Sequence, residues 1–383
     1  MPTYSTGLVF DERYLGHDTG VETTVTMRDG SFTLPPEPHP SALYITQRIK
    51  QFLDGSGLTA RMQLIAARAA SEDELAVYHT REYIAGIRAL CEGVEGGGPA
   101  KEAWGEVEFD APLSRGSFEA ALYAAGGAMN AVSAVMNGEA RNVYALLRPP
   151  GHHATKNRAM GFCIFGNAVL AAHHARKVCG LERVMIVDWD VHHGNGTQDA
   201  FYQDPNVLFV SLHQHNWYPK LSGELEQVGS GAGAGYTVNI PLPAGTGDRG
   251  YRAAFEQLVL PIGQQFRPQL IIISAGQDAS WLDPLAQMMV TMSGFRQMSE
   301  LLVSLAEEVC EGRLVMLQEG GYSAAYVPYC TVAAVEPLLG VDLGITDLYA
   351  TSSELERCKT ILTDETRNAL SEARRWHKQW WKI

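Results

Sequence analysis

The sequence predicts a three-layer α/β fold, with a mostly parallel central β-sheet flanked by helices. Three observations carry this expectation. Five short apolar runs recur along the chain, helical stretches separate them, and the residues able to do chemistry gather just after the runs. Val143–Leu147, Val184–Val187, Val207–Leu212, Leu270–Ser274 and Leu314–Leu317 are continuous and aliphatic rather than alternating. That pattern suits strands covered on both faces, as in a parallel sheet.

The helical stretches follow in order. Ser117–Asn137 is Ala-rich and ends at Gly138, so its small side chains allow close packing on a sheet. Asn167–Cys179 stops at Gly180, a residue suited to a helix C-terminus. Tyr251–Phe266 is amphipathic, with Pro261 predicted to kink it. Ser293–Glu311 has Ser293 as its expected N-cap, apolar residues at Phe295, Met298, Leu302, Leu305 and Val309, and Gly312 as its stop. Alternation of this kind builds sheet-and-helix layers.

The 383 residues are 46% hydrophobic and 19% charged, enough apolar material for a sizeable core and too much for a disordered chain. No linker or internal repeat divides them, which predicts one domain over 1–383, with its chemistry between 148 and 322 and a helical tail from about 340 to 383. Gly96–Ala100 reads as a surface loop, and Gly229–Gly235 leads into a strand-like run at Tyr236–Ile240, not into the helix a phosphate cradle needs. Asp plus Glu number 43 against 30 for Lys plus Arg, a formal charge of -13. This argues against nucleic acid as a partner and suits a cationic substrate. The six cysteines (Cys91, Cys163, Cys179, Cys310, Cys330, Cys358) form no C-x-x-C pair, and Met1–Ser5 opens no signal peptide, so a reducing, cytoplasmic location is expected. No apolar run approaches the ~18 residues of a membrane span.

Four loops concentrate ionisable residues, each after one of the apolar runs, where open parallel sheets bind ligands. In Asp188-Trp189-Asp190-Val191-His192-His193-Gly194-Asn195, Asp190 and His192 are two apart and can share a face in extended chain. A carboxylate and an imidazole suit Zn²⁺, and Asp188 reads as a supporting partner. Asp278, in Ala275-Gly276-Gln277-Asp278-Ala279, reads alone as a helix cap; beside the first loop it reads as a third ligand that leaves a coordination position open. Arg148-Pro149-Pro150-Gly151-His152-His153 presents paired imidazoles suited to general acid–base work. His173-His174, within a helical stretch, reads instead as packing or surface. In Gln318-Glu319-Gly320-Gly321-Tyr322, Gly320 and Gly321 permit a sharp turn and close approach to a ligand, and Tyr322 is placed to donate to an oxyanion.

Read together, RPPGHHA, GFCIFGN, VDWDVHHGNGTQ, SLHQH, SAGQDA and QEGGYS resemble the histone deacetylase family of the arginase/deacetylase superfamily, in the family's order and over residues 15–340. Trp189, Asn195 and the Glu-Gly-Gly-Tyr loop are most similar to class II members and their bacterial relatives. The resemblance implies the arginase/deacetylase fold and a zinc-dependent amidohydrolase that removes acyl groups from acyl-lysine, releasing acetate and a free amine. It implies zinc at Asp190, His192 and Asp278; His152 and His153 beside the attacking water; Tyr322 on the carbonyl; and Asp188 holding His152. Asn195 stands where class I members have an Asp beside the second histidine, which leaves His153 less stabilised as an imidazolium. Phe162 and Tyr218, with Gly161 and Gly321 close by, match the walls of a narrow acyl-lysine channel. Structural potassium is implied at Asp188, Asp190, His192, Ser211 and Leu212, and a second potassium at Phe201, Asp204, Val207 and Tyr236.

Other readings stay open at the level of sequence. They are an acetylpolyamine amidohydrolase with the same chemistry, a catalytically silent acyl-lysine-binding scaffold, and an arginase-like dimetal enzyme, which would need further bridging carboxylates. Asp364–Lys382 reads as a helix with Trp376 and Trp380 one turn apart, packing on its own domain or joining subunits of a homo-oligomer. The segment Gly16–His39 is expected at the channel entrance.

Overall fold

The computed structural model describes residues 6–27, 30–94 and 111–383; Met1–Ser5 and the Gly96–Ala100 loop lie outside them. Among the described residues ten strands form: β1 (Thr6–Val9), β2 (Val21–Met27), β3 (Gly30–Pro38), β4 (Gln63–Ile65), β5 (Asn142–Ala145), β6 (Val184–Asp188), β7 (Val207–Gln214), β8 (Thr237–Leu242), β9 (Leu270–Ala275) and β10 (Leu314–Gln318). Eight of them make one parallel sheet in the order β4-β1-β5-β10-β9-β6-β7-β8. The other two, β2 and β3, form a separate antiparallel hairpin. All five apolar runs are strands. Leu146 and Leu147 fall just outside β5, although the Leu146 N–H still bonds to Val9.

Successive strand residues enter opposite cores, which makes the layers. Val184 and Ile186 join Val143, Val315 and Ile272 beneath the helices Ser117–Met136 and Asn167–Lys177. Met185 and Val187 join Tyr144, Met316 and Ile273 beneath Met292–Cys310 and Val327–Leu339. The Ala-rich helix packs as closely as its composition allows. A Cβ at Gly126 would stand 1.9 Å from the Arg68 carbonyl oxygen. His173 lies against Phe201, and His174 bonds Ser133 at 2.8 Å, so this pair serves packing.

Three local expectations need correction. Thr291, not Ser293, is the N-cap of Met292–Cys310; its N–H and hydroxyl both go to buried Asp248, which stops the helix from starting later. Between Asp248 and Phe266 the register changes in a π-turn at Phe255–Val259, ahead of Pro261. Pro261 has no N–H for the Gln257 carbonyl, and the widened turn absorbs that loss. The C-terminal helix ends at His377 rather than near Lys382, because buried His377 bonds the Asn239 carbonyl and the chain then turns. Trp381 donates to the Gly235 carbonyl and meets Tyr236 edge-on, so the tail packs against its own edge strand.

Gly→Ala inside a helix ordinarily stabilises by ~1 kcal/mol, but Gly126→Ala should destabilise by ~1–3 kcal/mol because the neighbouring backbone cannot yield. Gly55→Ala, with no atom within 4 Å of the new methyl, should be neutral or stabilising. Denaturant midpoints of the two variants check this opposition of sign.

Candidate metal centre and active site

The loops that follow β5, β10, β9 and β6 are far apart in sequence, yet these strands are consecutive neighbours in the sheet. Their register is level: Ala145, Leu317, Ser274 and Asp188 lie in one row across the four strands. The four loops therefore rise side by side from the carboxyl edge, as parallel sheets place their sites.

At the centre stand Asp190, His192 and Asp278, with one donor atom from each lying within 4.8 Å of the others. His192 Nδ1 is 3.2 Å from Asp190 Oδ1 and 3.0 Å from Asp278 Oδ2. Backbone donors hold the two carboxylates from their other oxygens. Asp278 Oδ1 accepts the Val191 N–H at 2.8 Å, and Asp190 Oδ2 accepts the Gly320 N–H at 2.9 Å. Asp278 caps no helix; the next one begins at Met292.

Glycines keep this space clear. A Cβ at Gly320 would lie 2.4 Å from Asp278 Oδ2, 2.7 Å from Asp190 Oδ2 and 2.9 Å from the Tyr322 hydroxyl. Gly321, at φ 126, holds a backbone conformation that side chains resist. Tyr322 is thereby turned toward the ligand set, and its N–H is tied to Asp283 at 2.7 Å. Burial, with Asp278 and Asp190 nearby, pushes its hydroxyl well above the usual phenol range, so it remains a donor.

The two imidazoles lie against each other, with ring centroids 3.9 Å apart. His152 Nδ1 is 3.0 Å from Asp188 Oδ2, and His153 Nδ1 is 2.8 Å from Asn195 Oδ1. With both Nδ1 atoms engaged, Nε2 is the free nitrogen of each ring; that of His152 is 3.7 Å from Asp190 Oδ1. Their environments differ in charge. Burial opposes a proton on His152, yet Asp190 and Asp188 outweigh it and raise that imidazole. Burial and the neighbouring His152 and His192 hold His153 well below its ordinary value, and the neutral Asn195 does not offset them.

Phe162 meets Tyr322 edge-on at 5.6 Å, and Tyr218 meets His153 at 5.0 Å and His192 at 6.1 Å. Both aromatic rings thus border the site. Gly161 permits this closeness, since a Cβ there would strike the His153 ring at 2.2 Å and Tyr218 at 3.0 Å. Of the segment Gly16–His39, His39 reaches Phe162 at 4.8 Å.

Some of the residues expected around potassium are neighbours in the fold. Asp188 pairs with Ser211 in the sheet, and Ser211 bonds His213 Nδ1 at 3.0 Å. Phe201, Asp204 and Val207 share the turn before β7, and Tyr236 pairs through its carbonyl with Phe209.

Sequence reasoning missed several supports. Glu319 accepts the Gly151 and His152 N–H groups, Asp283 holds Tyr322, and buried Arg148 donates to the carbonyls of Ser41 and His17 at 2.7 and 3.1 Å. Glu319 and Arg148 sit inside motifs already singled out; Asp283 carries no motif signal. Gly276 is a further case, since a Cβ there would be 2.1 Å from Asp190 Oδ2.

Charge indicates what the centre requires. Asp188, Asp190, Asp278, Asp283 and Glu319 are all buried. Burial raises Asp188 to about 6, Asp278 and Glu319 to about 7, and Asp283 to about 8. Asp190 is held low, against burial, by His152 and His192. His192 rises to about 10, also against burial, because two carboxylates face one ring nitrogen. A proton or a cation must fill that position, and an Asp/His/Asp set with clear space before it fits a divalent ion bound by three protein ligands.

Comparisons with known proteins agree with this geometry. A family model described as histone deacetylase domain matches residues 39–338. A histone deacetylase-like amidohydrolase of Pseudomonas aeruginosa is 41% identical over 372 residues, covering 97% of this chain and 95% of the relative. A probable deacetylase of Archaeoglobus fulgidus is 39% identical over 339 residues, covering 88% of this chain and 87% of that one. The solved HDA15 HD domain superposes with a TM-score of 0.84 at 34% identity, covering 99% of this chain and 96% of the other. The fold, the convergent loops and these likenesses agree: the chain belongs to the histone deacetylase family.

Proposed function

We propose that the chain is a zinc-dependent deacetylase that hydrolyses the side-chain amide of N-acyl-lysine, releasing the acid and a free amine. The observation that carries this reading is the convergence of Asp190, His192 and Asp278 with two tethered imidazoles and a phenol at one buried point. Zinc held by those three ligands would polarise the amide carbonyl and acidify water.

The chain's own groups supply the rest. A neutral imidazole with its Nδ1 already bonded offers Nε2 to the proton of the attacking water, and the low basicity of His153 suits it to receive and then release that proton. The Tyr322 hydroxyl donates to the oxyanion as charge develops there. An imidazolium, assigned to His153, donates to the departing amine. Asp188 and Asn195 hold the rings so that Nε2 faces the substrate. Phe162 and Tyr218 are the walls along which the methylene stem of the acyl-lysine runs, and Gly161 and Gly321 admit it.

Structural potassium is part of the proposal, and the Ser211 hydroxyl supports it. His213 Nε2 donates to the Gly223 carbonyl at 2.9 Å, so His213 Nδ1 must accept from Ser211. That leaves the Ser211 lone pairs free for a cation beside the carbonyls of Asp188, Asp190, His192 and Leu212. Phe201, Asp204, Val207 and Tyr236 are assigned to a second ion. The six cysteines are all free, which supports a cytoplasmic setting, and no helix of the described residues is long and apolar enough to cross a membrane.

Tyr322→Phe should retain zinc and lose roughly 10²–10³-fold in kcat, the usual effect of removing one oxyanion donor; near-normal turnover would remove Tyr322 from its role. Asp190→Ala and His192→Ala should lose the metal by elemental analysis, and full zinc occupancy in either would contradict the ligand set. Acetyl-lysine peptides, acetylated polyamines and trifluoroacetyl substrates assayed side by side should favour the peptides. Preference for the polyamines would move the substrate class, and no turnover of any would indicate a silent binding scaffold.

A further inference from the structure

We propose that Glu319 is a positioning residue for His152, acting through the backbone that carries the imidazole. The sequence sets up the need. Pro149 and Pro150 have no N–H, so the first backbone donors after Arg148 are those of Gly151 and His152. Both are buried, and buried N–H groups must find acceptors. Each finds Glu319 Oε2, at 2.7 Å from Gly151 and 3.2 Å from His152. The other oxygen, Oε1, accepts the Ser274 hydroxyl at 3.2 Å. One carboxylate thus ties the end of β5 to the ends of β9 and β10.

The remaining freedom of His152 is removed from other directions. Its carbonyl accepts the Gly196 and Thr197 N–H groups at 3.0 and 3.2 Å, and its Nδ1 meets Asp188. Gly151 cannot retreat, because a Cβ there would already lie 2.4 Å from the Asn167 nitrogen and 2.7 Å from the Phe165 oxygen. Glu319 holds the same segment by its two amide nitrogens. A buried carboxylate is a costly way to satisfy two amides that a neutral oxygen could also serve. What this side chain adds is a second anchor, since Oε1 takes the Ser274 hydroxyl while Oε2 holds both amides. The distance from Nε2 of His152 to the reacting amide then depends on Glu319, although Glu319 touches no substrate.

This inference rests on the deacetylase reading and is tested on the full-length, zinc-loaded enzyme with an acetyl-lysine peptide. Glu319→Ala should lower kcat by about 10²-fold, the scale of a small misplacement of a reacting group, with KM and zinc content unchanged. Glu319→Gln, whose carbonyl can accept the same two N–H groups, should recover most of that loss. Backbone hydrogen exchange at Gly151 and His152 should speed up in Glu319→Ala and stay slow in Glu319→Gln. Wild-type kcat in Glu319→Ala, a loss confined to KM, or a Gln variant as slow as Ala would overturn the proposal. Should the Ala variant fail to fold, Glu319→Asp, one methylene short of the amides, carries the same expectation of lowered kcat. If the wild-type enzyme turns over no acylated amine, the deacetylase reading fails. The exchange measurement still decides this one, since unaltered amide exchange in Glu319→Ala refutes it.

Discussion

Buried negative charge at the carboxyl edge of the sheet is the constraint on which the rest of the structure depends. Five carboxylates lie out of water within a few loops of each other, and imidazoles face Asp188, Asp190 and Asp278. Isolated buried carboxylates cost far more than a domain's net stability can absorb. They persist because each accepts at least one backbone N–H, and because the geometry leaves one position for a cation at the point where Asp190, His192 and Asp278 meet. The same bonds restrain the site, since neither the Asp190 nor the Asp278 carboxylate can turn without leaving an N–H unpaired.

The parallel sheet makes this possible. Its strands all deliver their loops to one edge, and the order β5-β10-β9-β6 brings together segments spread from Asn142 to Gln318. Apolar cores on both faces hold the strand ends level, so short loops suffice to carry the ligands. Glycines at 161, 276, 320 and 321 then act by omission, each vacating space that a side chain would take from the ligands or the aromatic walls.

Within that frame two chemically identical rings acquire different charge environments. His152 faces carboxylates and is drawn toward the charged form, whereas His153 faces an amide and other imidazoles and is drawn toward the neutral one. Separating the affinities of paired titratable groups is how one site can offer both an acid and a base. Replacing the carboxylate seen in class I members by Asn195 is consistent with that division, because an amide orients the ring without charging it.

Much of this was legible in the residues. Continuous aliphatic runs identified the inner strands, since only strands covered on both faces dispense with polar alternation, and the clustering of Asp and His after them marked the loops. The i, i+2 spacing of Asp190 and His192 placed two potential ligands on one face. Less was legible where the signal is not local. The edge strand β4 and its neighbour β1 are short and lack a long apolar run, Thr291 became an N-cap only because Asp248 from another element holds it, and Trp381 found its partner just before the distant edge strand β8. Asp278 is the clearest case. In isolation its sequence suits a helix cap as well as a ligand, and strand order alone sets it 3.0 Å from His192. Local periodicity and residue chemistry thus determined the layers and the kind of site. Which loops share it, and which carboxylates must be buried together, was decided by the lateral order of strands, a property of long-range packing that no short stretch of sequence contains.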